Sequence, residues 1–105
     1  MMNDVTQKAK GVAKFLLLSQ EEGGLVDILP VLMTPIEIEK IYERIRILEC
    51  LNDGLSQRKT LKKTGSAIAT VTRGAKVLKQ VPPFFGLLIK KAQHLDWWRH
   101  LFWCA

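Results

Sequence analysis

Residues 56–79 read SQRKTLKKTGSAIATVTRGAKVLK, and this stretch decides the fold. Ser56 is a residue type that caps helices, and the polar segment after it is predicted to form a short helix over residues 57–64. Gly65 then supplies a turn before a second helical segment. Two short helices joined by a tight glycine turn form a helix-turn-helix, which the sequence predicts over approximately residues 57–80.

The second helix of this pair is predicted over residues 67–79. Its predicted buried stripe consists of Ile68, Val71, Ala75 and Leu78. Gly74 lies in the helix interior, where a glycine costs about 1 kcal/mol relative to alanine. Two explanations for this glycine are open: close packing of another helix, or a flat ligand lying over Gly74 beside the Arg73 guanidinium.

Charge is distributed unevenly around this motif. The chain carries a formal net charge of +6, yet residues 15–53 hold eight acids and only three bases. Residues 54–93 contain no acid and nine bases, namely Arg58, Lys59, Lys62, Lys63, Arg73, Lys76, Lys79, Lys90 and Lys91. Such a sector suits a polyanion, because each phosphate contact releases condensed counterions. A solvated basic face explains the same pattern, so charge alone leaves both interpretations open.

Residues 34–37 (TPIE) form a strong helix start signal upstream of the motif. Thr34 is a capping residue type, Pro35 suits the first helical position, and Glu37 completes a capping box. The helix that follows is predicted to end just before Gly54. Its apolar residues recur at three- and four-residue steps: Ile38, Ile41, Ile45, Leu48 and Leu51.

The rest of the chain also has helical patterning. Residues 5–20 place apolar side chains near helical spacing with lysines opposite, and the glycine pair at 23–24 ends that element. Residues 25–33 are predicted as a short apolar helix, and a last helix is predicted over residues 84–103. The chain is therefore expected to be all-α, with about six helices in a single domain over residues 1–105.

Catalytic and metal-binding sequence patterns are absent. His94 and His100 are six residues apart, which does not place them on one helix face, and no nucleotide-binding, hydrolase or zinc-protease motif is present. We therefore expect neither an enzyme nor a metal site. No run approaches the ~20 apolar residues of a membrane span, and the N-terminus lacks a signal-peptide pattern. We expect a cytoplasmic protein without stable membrane insertion.

Residues 94–105 are an atypical aromatic C-terminal extension, ending in WWRHLFWCA. Three interpretations are open: a helix extension that packs a dimer, a sticky or disordered tail, and an interfacial membrane contact through Trp and Arg side chains. The extension contains Cys104, and the other cysteine is Cys50. We expect both as reduced thiols, although the sequence alone leaves a disulfide between them open.

The motif carries a family resemblance. Ser56-Gln57-Arg58, then Gly65, then IATVTRG at residues 68–74 resemble the helix-turn-helix of the Trp repressor family. The LMTP stretch at 32–35 and RIRI at 44–47 resemble that family's preceding segment and long helix. Order and spacing agree over residues 31–79, with one gap near Leu55. The resemblance implies an intertwined homodimer that binds double-stranded operator DNA with L-tryptophan as corepressor.

The resemblance also implies a corepressor pocket between the long helix and the helix-turn-helix. Arg44 matches the arginine that pairs with the tryptophan carboxylate, Arg73 matches the arginine on the face of the indole, and Gly74 lies under the ring. Guanidinium groups suit both contacts, because they pair with carboxylates and stack on aromatic rings. Thr34 matches a residue near the tryptophan carboxylate, and Thr70 lines the same region. Val31 and Met33 match positions of the partner chain, whose backbone carbonyls accept hydrogen bonds from the tryptophan ammonium.

On the DNA side, Arg58 matches an arginine that can pair with guanine O6 and N7. The resemblance implies that a bound indole moves each helix-turn-helix outward, so that both fit successive major grooves about 34 Å apart. The other matching positions are Ile68, Ala69 and Thr72, which face the groove, and Gln57, Lys76 and Lys79, which lie at or near phosphates.

Three departures from the family pattern affect these expectations. Val77 replaces a serine that helps hold the corepressor ammonium, and Leu61 replaces a polar or basic groove contact. The third departure is the aromatic C-terminal extension, which carries no motif of the family. Three hypotheses therefore stand. They are a tryptophan-dependent repressor, a helix-turn-helix regulator with a different ligand or none, and a helical interaction or membrane-surface protein driven by the C-terminal aromatics.

Overall fold

A computed structural model describes the backbone of residues 2–95 and the side chains of residues 4–93. This part of the chain contains six helices and no strand, so the all-α prediction is confirmed. The helices are α1 (Met2–Glu21), α2 (Leu25–Leu32), α3 (Pro35–Asn52), α4 (Gln57–Thr64), α5 (Ile68–Leu78) and α6 (Phe85–Leu95). The aromatic segment beyond Leu95, with Cys104 and the end of the predicted last helix, lies outside the described residues.

The predicted start of α3 is confirmed as a capping box. The Thr34 backbone N–H donates to Glu37 Oε1 at 2.8 Å, and the Glu37 backbone N–H donates to Thr34 Oγ1 at 3.2 Å. The two side chains also hydrogen-bond directly at 3.2 Å. These bonds satisfy donors that a helix N-terminus otherwise leaves without partners.

The chain divides into two compact units, residues 1–41 and residues 42–105. In the first unit α1 packs against α2, and none of the described side chains of residues 4–41 is buried. The exposed large apolar side chains of this unit are Val5, Val12, Phe15, Leu17, Leu18, Val26, Val31, Leu32, Ile36 and Ile41. The first unit therefore has apolar surface but no core of its own.

The second unit has a core. Its buried apolar side chains come from α3, α5 and α6: Ile47, Cys50, Val71 and Ile89. The side chain of Arg46 in α3 donates to the Lys63 carbonyl at the end of α4, at 3.3 Å. The Gln93 amide of α6 donates to both carboxylate oxygens of Asp53, at 3.0 and 2.8 Å. These hydrogen bonds connect α4 to α3, and α6 to the residue that follows α3.

The α4–α5 pair forms as its local signals predict. Ser56 Oγ accepts from the Lys59 backbone N–H at 3.1 Å, which caps α4. Gly65 ends α4 at φ 71°, in the left-handed region that glycine occupies without strain. A short turn then leads into α5, whose Val71 is fully buried.

The burial expected from the sequence pattern is wrong at several positions. Ile68 is 68% exposed rather than part of the buried stripe of α5. In α3, Ile41 and Ile45 are exposed and Ile47 is buried in their place. Glu49, a charged residue type that is rarely buried, is only 2% exposed.

Within residues 2–95, no helix is both long enough and apolar enough to cross a membrane.

Candidate ligand pocket and basic helix face

A cavity lies between α3 and α5 in the second unit. It encloses about 390 Å³ of space between atoms, a volume that includes the open solvent at its mouth. Its walls are almost entirely apolar, and two arginine residues contribute to them. The lining residues are Arg44, Ile47, Leu48, Thr70, Arg73, Gly74 and Val77.

The cavity brings together five of the residues that the sequence assigned to corepressor binding. They are Arg44, Thr70, Arg73, Gly74 and Val77. Ile47 and Leu48 complete the lining and were not predicted. Both follow Arg44 by three and four residues, a spacing that places them on the same helix face, so this signal was present in the sequence.

Three faces of α5 explain why these side chains meet. Successive helical residues are about 100° apart, so Thr70, Arg73, Gly74 and Val77 fall within an arc of about 100° that faces the cavity. Val71, Ala75 and Leu78 occupy a second, inward arc, and Val71 is fully buried. The third arc contains only exposed residues: Ile68, Ala69, Thr72 and Lys76.

Gly74 is required by helix packing. A Cβ atom built on Gly74 would lie 2.7 Å from Ile47 Cγ2 and 3.6 Å from Leu51 Cδ1. Ile47 is 1% exposed, so its branched side chain has little room to move away. Of the two explanations that the sequence left open, packing against α3 is directly observed. Because Gly74 also lines the cavity, the same close approach shapes the floor of the pocket.

The cavity combines an apolar slot with two positive charges. Arg44 and Arg73 both line it, both are exposed, and no carboxylate is found among the lining residues. Guanidinium groups pair with carboxylates and stack on aromatic faces, so the arrangement suits a flat aromatic molecule with a negative group. Behind this region, burial raises the pKa of the Cys50 thiol, which keeps it protonated.

Three further predicted corepressor residues lie in the first unit. Thr34 is engaged with Glu37 in the capping box. Val31 is 74% exposed at the end of α2, and Met33 follows that helix with its N–H donating to the Leu29 carbonyl at 2.9 Å. A role for these three residues toward a ligand remains a prediction.

The residues assigned to DNA contact are all exposed. Two of them are connected, because Thr72 Oγ1 donates to Gln57 Oε1 at 3.1 Å and joins the start of α4 to α5. The complete set is Gln57, Arg58, Ile68, Ala69, Thr72, Lys76 and Lys79. This surface belongs to the segment without acidic residues, so no carboxylate of that segment opposes its positive charge.

The described helices place the chain among small all-α proteins. Among the described residues, no group of three or more His, Cys, Asp or Glu side chains is arranged to hold a metal ion. Comparison with known families gives a specific match: the family described as Trp repressor protein matches residues 7–93. The chain belongs to the Trp repressor family.

Several curated relatives support this membership, each named Trp operon repressor homolog. The relative from Mannheimia succiniciproducens is 32% identical over 77 residues, which cover 72% of this chain and 76% of the relative. The relative from Pasteurella multocida is 31% identical over 71 residues, covering 67% and 70%. The relative from Vibrio campbellii is 47% identical over 53 residues, covering 50% and 53%, so this match spans about half of either protein.

Proposed function

We propose that this chain is a transcriptional repressor that binds operator DNA as a homodimer when L-tryptophan occupies the α3–α5 cavity. Control of genes for tryptophan synthesis or uptake fits such a ligand. One observation carries the proposal: one arc of α5 faces the cavity, and another arc, which includes Lys76, is exposed to solvent. A ligand and a DNA duplex can therefore contact the same short helix from two sides.

The ligand step uses the two arginines of the cavity. We infer that Arg44 pairs with the tryptophan carboxylate and that the Arg73 guanidinium lies on a face of the indole ring. The apolar side chains of Ile47 and Leu48 contact the ring edge. Gly74 lets α5 approach α3 closely enough to keep this slot narrow.

The DNA step uses the exposed arc of α5 and the start of α4. Arg58 can pair with guanine O6 and N7 in the major groove, while Lys76 and Lys79 neutralise phosphates. Ile68 supports this role, because an isoleucine that is 68% exposed at a helix start contributes nothing to the core. Apolar contact with thymine methyl groups suits such a side chain.

Coupling follows from the shared helix. Tryptophan favours the conformation in which it contacts both α3 and α5, so binding shifts the population toward one placement of the α4–α5 pair. In a homodimer that placement sets the distance between the two α4–α5 pairs, which must match the spacing of successive major grooves, about 34 Å. The exposed apolar side chains of α1 and α2 supply the surface that such a dimer buries.

Ligand-dependent DNA binding is the test. A duplex is first selected from a random library by the full chain with L-tryptophan present, and its affinity is then measured with and without the ligand. We expect Arg73→Ala to abolish the response to L-tryptophan. We expect Arg58→Ala to bind L-tryptophan normally and to lose roughly 1–3 kcal/mol of specific DNA affinity. Lys90→Ala, an exposed base in α6, is the matched control.

The outcomes separate two candidate functions. Val77, at the cavity wall, favours the second candidate, a DNA-binding regulator with a different ligand or none. DNA binding that is unaffected by L-tryptophan, in a chain that still selects a specific duplex, would establish that candidate. Equal loss on selected and random DNA in Arg58→Ala would make Arg58 a phosphate contact instead.

A further inference from the structure

The solvent side of α4 carries positive charge that the DNA contacts described above do not include. Successive helical residues are about 100° apart, so Arg58, Lys62 and Lys59 fall within an arc of about 100°. All three residues are exposed, and the arc points away from Thr60, which is fully buried. We call these three residues the α4 basic arc. Arg58 already has an assigned role toward DNA, whereas Lys59 and Lys62 have none.

The charge of the α4 basic arc is not neutralised within the described part of the chain. None of its side chains forms an ion pair there, and residues 54–93 contain no acid. Lys63, at the end of the same helix, is different because it lies within about 60° of Thr60 around the helix. Burial raises the pKa of the Cys50 thiol, and the positive charge of Lys63 lowers that pKa in part. Lys63 therefore acts toward α3, and the α4 basic arc faces solvent.

The position of the arc relative to α5 follows from one hydrogen bond. Thr72 Oγ1 donates to Gln57 Oε1, so the Gln57 side of α4 adjoins the exposed arc of α5. Arg58 lies about 100° from Gln57 around α4, and Lys62 and Lys59 lie about 140° and 160° from it. The α4 basic arc therefore begins near the exposed arc of α5 and continues away from it. In helix-turn-helix proteins the second helix lies in the major groove and the first crosses the DNA backbone, so the far part of this arc suits phosphates rather than base edges.

We propose that Lys59 and Lys62 form a sequence-independent contact with the phosphate backbone of duplex DNA, beside the groove that α5 occupies. This inference rests on the DNA-binding part of the proposed function and does not depend on the ligand. Each ammonium group that reaches a phosphate releases condensed counterions, whatever the base sequence. The two lysines therefore strengthen binding to every duplex and make it more sensitive to salt. The preference for one sequence is left to Arg58 and the exposed arc of α5.

The salt dependence of DNA affinity tests this inference. The full chain with L-tryptophan is titrated onto the selected duplex and onto a random duplex of equal length, between about 50 and 200 mM salt. Lys59→Gln/Lys62→Gln removes both charges with little change in helix propensity. We expect the slope of log affinity against log salt to become shallower by roughly 2, about 1 for each lysine, on both duplexes. The affinities for the two duplexes should fall by the same factor, so the preference for the selected duplex is unchanged.

Two further double variants are the controls. Lys59→Arg/Lys62→Arg keeps both charges and should keep the slope. Lys90→Gln/Lys91→Gln removes two exposed charges from α6 and should change the slope much less. An unchanged slope in Lys59→Gln/Lys62→Gln, a loss confined to the selected duplex, or an equal change in the α6 variant overturns the inference and leaves the proposed function standing. If the unmodified chain binds neither duplex, the proposed function fails and the inference fails with it.

Discussion

Residues 4–41 and residues 42–93 both expose large apolar side chains, but only the second stretch also buries some of them. The first group exposes ten large apolar side chains and buries none, whereas the second encloses Ile47, Val71 and Ile89 in a core. Both stretches have amphipathic helices, so the difference does not lie in secondary structure. A helix keeps its apolar stripe buried only against another element. The comparison indicates that the second unit is stabilised by its own packing, whereas the described side chains of the first unit form no buried core.

The largest expected effect is on the core of the second unit. Ile47→Ala removes a side chain that is 1% exposed and should lower the free energy of unfolding by about 2–5 kcal/mol. Urea denaturation measures the loss. The matched control is Ile36→Ala in the first unit, where the side chain is 66% exposed and the expected loss at low protein concentration is under ~0.5 kcal/mol. Equal losses for the two variants would remove the contrast between the units.

The next effect concerns self-association through the first unit. Leu17 is 65% exposed on α1, so Leu17→Glu should leave the isolated helix intact but place a charge in a dimer interface. We expect the dimer dissociation constant to rise at least 10-fold, as measured by sedimentation equilibrium. Gln20→Glu adds the same charge at another exposed position of α1 and is the control. A chain that sediments as a monomer before any substitution contradicts the proposed dimer.

A smaller effect is expected where α5 meets α3. Gly74→Ala adds a Cβ at 2.7 Å from Ile47 Cγ2. The resulting overpacking should lower the free energy of unfolding by about 1–3 kcal/mol, which outweighs the ~1 kcal/mol that alanine adds through its higher helix propensity. Thermal unfolding should therefore show a net loss of roughly 1 kcal/mol. In an Ile47→Leu background the branching methyl is absent, and the same substitution should become neutral or stabilising. Destabilisation that is unchanged in that background would show that the Ile47 contact is not the cause.

Local structure was predictable because its causes are local. The capping box of Thr34 and Glu37, the Ser56 cap and the left-handed Gly65 each depend on residues within four positions, and the structure confirms all of them. Burial was less predictable. Ile68 was expected in the core of α5 because it is apolar, yet its exposure depends on where other helices lie.

The cavity shows the same limit. Arg73 and Gly74 are adjacent in sequence and were recognised from their motif, but the cavity also needs Ile47 and Leu48 from α3. Their spacing from Arg44 places them on the same face of α3, but the packing of α3 on α5 shows that this face lines the cavity. The sequence offered close packing as one explanation for Gly74 but did not identify its partner, because Ile47 lies 27 positions earlier in the chain.

The smallest expected effect is at the α3 cap, where the first unit does have a defined local structure. Hydrogen bonds from Thr34, first from its backbone N–H and second from its side chain, hold the pKa of Glu37 below its ordinary value of 4.5. The pKa of Glu37 is lower in the folded state than in the unfolded state, so the cap stabilises α3 fully at pH values above the unfolded-state pKa. This stabilisation is lost as the pH falls through the lowered folded-state pKa. Thr34→Ala should lower the free energy of unfolding by about 1 kcal/mol at neutral pH. It should raise the pKa of Glu37 only part of the way back to its ordinary value, because the stronger hydrogen bond from the Thr34 backbone N–H remains. Carbon-detected NMR titration of Glu37 measures the shift, and Thr34→Ser, which keeps the hydroxyl, is the control. A Glu37 carboxyl that titrates at or above 4.5 in the unmodified chain would refute the cap in solution.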